Sequence, residues 1–496
     1  MMKSKILGIS TALVIGSSSA VMAQDDLAGF FDGISGMATQ SGGIVSFSER
    51  NIGADNSVEY TDLFISAPDG EVVIAADWLK AVPSVTTPGQ VTFTLSPVAT
   101  ITVNDDSFPA PLVLNISNTG LVIIADGLTG GQDVDILNYS IRADMFSVIA
   151  ETGGNPFLRA LDFTFENLAE DFSISPATME ITNSGSFSGA SYNYDFTTPE
   201  QDDMSGSGAL DSLEYSLGFF AVGEERLFEY LSGGLNAFFE MTMGESTGTS
   251  GISSAEMNLV YSGTSTGGIF NMRMENGRFT MTQVSGPTDY SFTKINIGGM
   301  PIPPFDMTSG DAEIDISIPF TTNGDFEPAT FLISIKDLAV SESLLSIVDP
   351  GQVIARDPIN MVIDLAANIK ANIDWTNPDA SFTSGNPDDI GEIKDISINE
   401  ISFGAFGATL LANGSAVIDS SMGFPFPTGS VTVTLSGIQT LANGLVELGL
   451  IPAEQVGMGM GMMMAFARPG DMADQFVSEI EFSPQGITAN GTPLPF

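Results

Sequence analysis

The sequence predicts a mainly β protein: a long, strongly twisted antiparallel sheet curled into a groove or half-barrel, with a few helices and a helical hairpin capping it near the C-terminus. Two observations lead to this prediction. Over most of the 496 residues, short apolar runs rich in β-branched residues alternate with clusters of Gly, Asn, Asp, Pro and Ser. One stretch near the end, residues 438–470, has helical spacing of its apolar residues instead.

The first residues have the composition of a secretory signal peptide. Two lysines precede an apolar run from Ile6 to Ile15, and Val21 and Ala23 fit the positions before a cleavage site. We therefore expect residues 1–23 to be removed and the mature protein to be periplasmic. The chain contains no Cys, which excludes disulfide bonds and lipid attachment through cysteine. No later run approaches the roughly 18 apolar residues of a membrane-spanning helix, so none is expected.

Three regions are predicted in the mature chain, and we expect them to share one sheet. Residues 24–217 form an N-terminal β region. Residues 218–385 form a central β region that contains a helix over Glu224–Met241, where apolar residues recur at helical spacing. Residues 386–496 form a C-terminal β region with a helical hairpin over 438–468. The low hydrophobicity of residues 376–391 predicts a linker there.

The central region gives the sharpest local predictions. An Asn-Gly pair at 276–277 supplies the positive φ angles of a two-residue hairpin turn and places Met272 opposite Met281. The run Asp311–Ile318 alternates polar and apolar residues, which predicts a sheet with one wet and one apolar face. A short helix is predicted over Ser341–Val348.

The C-terminal hairpin carries the candidate site. In its first helix Ile438, Leu441, Leu445 and Leu448 form one apolar side, and Pro452 separates it from the second helix. Residues of the second helix are predicted to cap the sheet or to contact an apolar ligand. They are Val456, Met460, Met463, Met464 and Phe466. Packing of the methionines in the core is the first interpretation, and a pliable surface for lipid or partners is the second.

The composition removes most catalytic chemistry. There is no His and no Cys, which excludes Ser-His-Asp and thiol catalysis and the usual zinc sites. Asp133 and Asp135, within residues 130–137, partly echo a calcium-binding nonapeptide, and a solvated turn is the other interpretation. The formal charge of −46 opposes binding to nucleic acid. No catalytic, metal-binding or cofactor-binding residues are predicted, and no cofactor is expected.

Three segments of the second half resemble a known family. They are SLLSIVDPGQVIARDPINMVIDL (343–365), ISFGAFGATLLANGSAVI (401–418), and the stretch from Leu445 to Asp471 with the closing EIEFSPQGITANG (479–491). Together they resemble the bacterial family called domain of unknown function 2125, which brings no assigned catalytic residues. The glycine-rich GMGMG at 457–461 departs from the family's pattern. The strand-rich style is also similar, much more faintly, to AsmA-like and TamB-like envelope proteins, a resemblance that implies an apolar groove associated with lipid movement.

Three functions follow as hypotheses. The first is a non-enzymatic periplasmic protein that binds a lipid or other apolar ligand in a β groove. The second is a structural or interaction protein of the cell envelope with a filled core. The third and weakest is a carboxylate-based hydrolase, because the acidic residues are so many that no pair stands out.

Overall fold

The structure of the protein is a computed structural model. It describes residues 27–29, 32, 35, 39, 42–67, 70–104, 110–126, 137–151, 157–175, 180–198, 202–220, 236–320, 324–372, 391–419 and 426–494. Strands dominate these residues and pair antiparallel, and the longest described helices lie near the C-terminus, which confirms the predicted fold class. The predicted signal peptide and nearly all of the predicted linker lie outside the described residues.

The chain divides into two compact units, Met1–Phe220 with Met243–Ala255, and Ala221–Thr242 with Glu256–Phe496. The strands of unit 1 are β1 (Ile44–Ser46), β2 (Glu49–Ile52), β3 (Val58–Ser66), β4 (Val72–Pro83), β5 (Val91–Leu95), β6 (Val98–Val103), β7 (Leu112–Thr119), β8 (Val122–Asp126), β9 (Leu137–Ala150), β10 (Leu158–Ser175), β11 (Glu180–Phe187), β12 (Gly189–Thr197), β13 (Asp203–Leu210), β14 (Leu213–Phe220) and, after β15 (Asn236–Met243), β16 (Ser246–Ser253).

Within the described residues, unit 2 contains the remaining strands and three helices. The strands are β17 (Met257–Ser265), β18 (Gly268–Glu275), β19 (Arg278–Ser285), β20 (Thr288–Ile297), β21 (Met300–Ile302), β22 (Phe305–Ser309), β23 (Ala312–Pro319), β24 (Glu327–Val340), β25 (Ile359–Ala371), β26 (Gly391–Ala405), β27 (Ala408–Asp419), β28 (Phe426–Ser436), β29 (Arg468–Pro469), β30 (Gln475–Ser483), β31 (Gly486–Ala489) and β32 (Thr492–Pro493). The helices are α1 (Glu342–Val348), α2 (Ile438–Glu447) and α3 (Ala453–Phe466).

One predicted element is wrong. Residues 236–241, assigned from the sequence to a helix over Glu224–Met241, belong to strand β15, and the earlier part of that stretch lies outside the described residues. Phe238 and Phe239 fit an apolar helix face and a strand equally well, because a short apolar run does not distinguish the two periods.

In unit 1 the break between β7 and β8 and the break between β11 and β12 lie side by side with irregular positions inside β9 and β10, and we call this line the kink row. By strand register it contains Gly120, Asp144, Asn167 and Ser188. Gly120 and Asn167 have positive φ angles of 67° and 50°, and Asn167 Nδ2 donates to Ser188 Oγ at 2.6 Å. Glycine and asparagine tolerate this conformation better than other residues. The kink row therefore consists of small and polar residues.

The apolar alternation changes phase at the kink row, yet the apolar side chains stay on one side of the sheet. In β10 the apolar residues above the row include Phe163 and Phe165, at odd positions, whereas Phe172 and Ile174 below it are at even positions. The Phe165 and Phe187 rings, from opposite sides of the row, pack edge to face with centroids 5.4 Å apart. The change of phase at the kink row therefore keeps the apolar side chains of both halves of the strand on one face of the sheet.

The core of unit 1 lies against this apolar face. Residues 27–29 are helical, and Leu27 is only 1% exposed where it packs on the strands. The buried cluster comprises Leu27, Val58, Tyr60, Ala81, Val91 and Leu137. The segment that follows the predicted cleavage site therefore contributes to the folded core.

Unit 2 confirms the hairpin predicted from Asn276-Gly277. Met272 lies opposite Met281, and the two turn residues have φ angles of 51° and 73°. The short helix α1 is confirmed over Glu342–Val348, with Ser341 as its N-cap residue. Residue positions in β23 also alternate between two faces as predicted from Asp311–Ile318.

Candidate functional site

The apolar face of unit 2 is defined by rows of aliphatic and aromatic side chains that cross neighbouring strands. One row runs Met272, Met281, Ile316, Phe331, Leu365 and Ile398 through β18, β19, β23, β24, β25 and β26. The next row runs Ile314, Ile333, Ile363 and Ile401. Because facing residues of antiparallel strands stand on the same side of the sheet, these rows form one continuous surface.

The opposite face of the same strands is polar. Thr282 Oγ1 donates to Asp315 Oδ2 at 2.8 Å, and Asn399 Nδ2 donates to Asp364 Oδ1 at 2.9 Å. Arg278 Nη1 donates to Ser317 Oγ at 3.0 Å. These polar side chains hydrogen-bond one another across the strands. The polar face is therefore suited to contact with water, and the apolar face is not.

The apolar face of unit 2 remains partly open. Met272 and Ile318 are each 39% exposed and Phe403 is 47% exposed. No residue of β19 or β25 is fully buried. Within the described residues the face is therefore not packed like a domain interior, where apolar side chains lose nearly all contact with water.

An aromatic floor lies on the apolar side of unit 1, and the sequence reasoning missed it. Tyr192 and Tyr194 lie with their rings nearly parallel, 13° apart, and extend over Gly206 and Gly208 of the neighbouring strand β13. Tyr194 Oη reaches Ser250 Oγ, 3.2 Å away in β16. The absence of a Cβ on these glycines lets the rings lie flat on the sheet. The floor is therefore broad and largely apolar.

Unit 2 has an aromatic cluster of the same kind. The ring of Tyr290 lies over Gly263 of the facing strand, and the Phe292 and Phe305 rings stack with centroids 4.7 Å apart. The Tyr261 ring lies 5.9 Å from that of Phe292. Flat rings of this kind offer contact area at little cost in conformational entropy.

The predicted helical hairpin is present as α2 and α3. The apolar side of α2 is half-buried, and the helix packs on β27 and against the 353–354 segment through the buried Gly444. Asp474 caps the N-terminus of α2, although it lies well beyond the helix in the sequence. Its carboxylate accepts the N–H groups of Gln439 and Thr440 at 3.0 and 2.8 Å. Burial by itself raises the pKa of Asp474, but these N–H donors and the Thr440 hydroxyl outweigh it and lower the pKa.

The five predicted site residues all lie on α3. Val456, Met460, Met463 and Phe466 are half-buried, whereas Met464 is 60% exposed because it lies about 100° around the helix from Met463. The main-chain oxygen of Phe466 accepts hydrogen bonds from Ser478 Oγ and Asn490 Nδ2, both at 2.8 Å. These bonds fix the C-terminal end of α3 to the strands. Beyond it, residues 468–469 form strand β29 and not the last turn of the helix.

The outer side of α3 is also apolar. Met458 and Met462 are 69% and 62% exposed, and the three glycines at 457, 459 and 461 have no neighbour within 4 Å of an added Cβ. Methionine-rich exposed helices adapt to varied apolar partners. None of the helices in the described ranges is long and apolar enough to cross a membrane.

A polar clamp holds the loop between α1 and β25. The Asp349 side chain is 3% exposed and accepts the N–H groups of Val353 and Ile354, each at 2.9 Å, and Arg356 Nη1 at 2.8 Å. Arg356 Nε also donates to Glu342 at 2.9 Å. Burial by itself raises the pKa of Asp349, but the N–H donors and the guanidinium outweigh it and lower the pKa. Asp349 and Arg356 lie in the segment 343–365, one of those that resemble the family.

In the described part of the chain, no three acidic side chains converge in a way that could hold a metal ion. The calcium-like residues Asp133 and Asp135 lie outside the described residues. Comparisons with models of known families, with curated proteins and with solved structures found no match. The resemblance to domain of unknown function 2125 and to AsmA-like proteins therefore stays a prediction, and the candidate site rests on its geometry.

Proposed function

We propose that this chain is a non-enzymatic periplasmic protein that binds the acyl chain of a lipid on the apolar face of unit 2. The observation that supports the proposal best is the continuous row from Met272 through Phe331 to Ile398, on a face where Met272, Ile318 and Phe403 are each more than a third exposed. An acyl chain lying along this surface would remove it from water, and each buried CH₂ group contributes about 0.8 kcal/mol.

The surface chemistry supports an acyl chain over other ligands. The face carries aliphatic, methionine and phenylalanine side chains, whereas the groups that bind polar ligands stand on the opposite side of the strands. A flexible chain matches a long shallow surface because it needs no hydrogen-bond partners. The aromatic cluster around Phe292 adds flat apolar area in the same unit.

A matched pair of substitutions tests the proposal. Met272→Glu places a carboxylate on the apolar face, and Asn271→Glu places the same group on the neighbouring residue, which points to the polar face. Under an acyl chain the new carboxylate has to be neutralised, and each unit by which its pKa must rise costs about 1.4 kcal/mol. We therefore expect Met272→Glu to weaken binding at least about 10-fold, which corresponds to one such unit.

The measurement is a fluorescence titration with a dye-labelled fatty acid, on variants whose far-UV circular dichroism matches that of the parent protein. Phe403→Glu, a second change on the apolar face, should weaken uptake like Met272→Glu, and Asn271→Glu should bind as the parent does. Equal uptake by all three variants would contradict binding on this face.

The exposed methionines favour a second candidate, an interaction protein of the envelope. Met458 and Met462 present an apolar helix surface that a partner would cover. Replacement of both by Gln should abolish a specific crosslink formed in intact cells while leaving fatty acid uptake unchanged. If no reproducible crosslink passes through α3, this candidate is rejected.

A further inference from the structure

A cavity of about 310 Å³ lies on the polar side of unit 1, away from its aromatic floor. The four strands β8, β9, β10 and β11 form it. Their register sets Asp126, Asn138, Ser173 and Thr182 side by side in one row, and Asp171 stands in the next row. The cavity is therefore lined by carboxylate, amide and hydroxyl groups, together with Ile124, Tyr139 and Phe172.

The two carboxylates of the cavity differ in their partners. Arg142 Nη2 donates to both oxygens of Asp171, at 2.7 and 2.8 Å, so the charge of Asp171 is compensated. Asp126 receives no hydrogen bond or ion pair from the described residues, and its Oδ1 is buried. The residue as a whole is only partly buried and lines the cavity, so its uncompensated charge favours a cation that also donates hydrogen bonds.

We propose that this cavity binds a small primary amine that also carries hydroxyl groups, such as an amino sugar. The ammonium group has three N–H donors and pairs with Asp126. The hydroxyl groups exchange hydrogen bonds with Asn138, Ser173 and Thr182, which both donate and accept. A cavity of about 310 Å³ accommodates a single sugar ring.

Other ligand classes fit the same groups less well. An anion is repelled by the single uncompensated charge of Asp126. A calcium ion takes six to eight oxygen ligands, commonly with several carboxylates, and the Arg142 guanidinium already occupies Asp171. A neutral sugar satisfies the hydroxyls but leaves the Asp126 charge without a counter-charge. The amine is the only one of these that satisfies both.

The test is isothermal titration calorimetry of the full chain with glucosamine, at a pH where its amine is charged, and with glucose as the neutral counterpart. We expect glucosamine to bind at least 10-fold more tightly than glucose. Asp126→Asn should remove this preference. Asp162→Asn is the matched control, because Asp162 lies on β10 and accepts a hydrogen bond from Asn193 instead of lining the cavity.

Each outcome of the titrations either supports or overturns the proposal. Equal affinity for the two sugars, no detectable binding of glucosamine, or an unchanged preference in Asp126→Asn would each overturn the proposal. Fatty acid uptake by unit 2 is measured separately, so either proposal can fail alone.

Discussion

The aromatic floor of unit 1 can be tested by adding a single methyl group to it. In Gly206→Ala the new Cβ would lie 2.6 Å from Cζ of Tyr194, which is too close, so the ring must tilt away. Tilting breaks the hydrogen bond from Tyr194 Oη to Ser250 Oγ, which contributes about 1 kcal/mol. It also weakens the contact with Tyr192, which is worth about 0.5–1 kcal/mol.

Part of this loss is offset, because Ala in a strand is about 0.5–1 kcal/mol more favourable than Gly. We expect a net loss of about 1 kcal/mol in the free energy of unfolding. In the Tyr194→Ala background no ring is displaced, so the same change at Gly206 should be neutral or stabilising. The two substitutions should therefore be coupled by about 1–2 kcal/mol.

The assay is urea unfolding followed by far-UV circular dichroism on the parent, both single variants and the double variant. Gly457→Ala is the control, because nothing lies within 4 Å of a Cβ added there. That change should stabilise α3 by up to about 1 kcal/mol. If Gly206→Ala has the same effect with and without Tyr194, the glycine does not make room for the ring, and the reasoning is wrong.

Three further results are expected. Leu27→Ala should lower the free energy of unfolding by about 2–4 kcal/mol in urea titrations, because Leu27 is 1% exposed in the core. Leu450 is 52% exposed, so Leu450→Ala should change the free energy of unfolding by under about 0.5 kcal/mol. Similar values for the two variants would place Leu27 outside the core. Because the pKa of Asp349 is lowered, its contribution to stability is present above about pH 4 and is lost as the pH falls through its folded-state pKa. Asp349→Asn should therefore reduce the acid sensitivity of the melting temperature. An unchanged dependence of the melting temperature on pH would contradict the clamp. Deletion of 453–466 should cause aggregation if α3 covers apolar surface, and light scattering that stays at the parent level would contradict that role.

Local sequence signals gave the most accurate predictions. The Asn-Gly pair at 276–277 specified both the turn and the pairing of Met272 with Met281, because a two-residue hairpin leaves no freedom of register. Both helices of the C-terminal hairpin were also predictable, since their apolar residues repeat over several turns between strand-like segments.

The kink row explains why the long strands of unit 1 could not be predicted from the sequence. A strand such as β10 changes the phase of its apolar alternation at Asn167, so its two halves look like separate short strands. The aromatic floor was hidden for a related reason. Tyrosines in β12 and glycines in β13 become meaningful only when the two strands are known to be neighbours with Tyr194 opposite Gly206. The buried, unpartnered Oδ1 of Asp126 likewise depends on how the strands assemble.

The burial of the candidate residues on α3 was predictable in part. Spacing identified Val456, Met460 and Met463 on the half-buried side, but spacing alone did not separate Met464, which lies at the edge of that side and is mostly exposed. The rotation of a helix about its axis is set by its contacts. Here the hydrogen bonds from Ser478 and Asn490 to the Phe466 oxygen hold the C-terminal end of α3, and they come from β30 and from the turn between β31 and β32.

Native mass spectrometry of the protein purified from the cell envelope tests the central proposal most directly. If the apolar face of unit 2 binds an acyl chain, the parent protein should carry a bound mass that fragments to a fatty acyl species, and Met272→Glu should carry much less of it. A spectrum with only the mass of the bare chain, across mild detergents and with added fatty acid, would contradict the proposal.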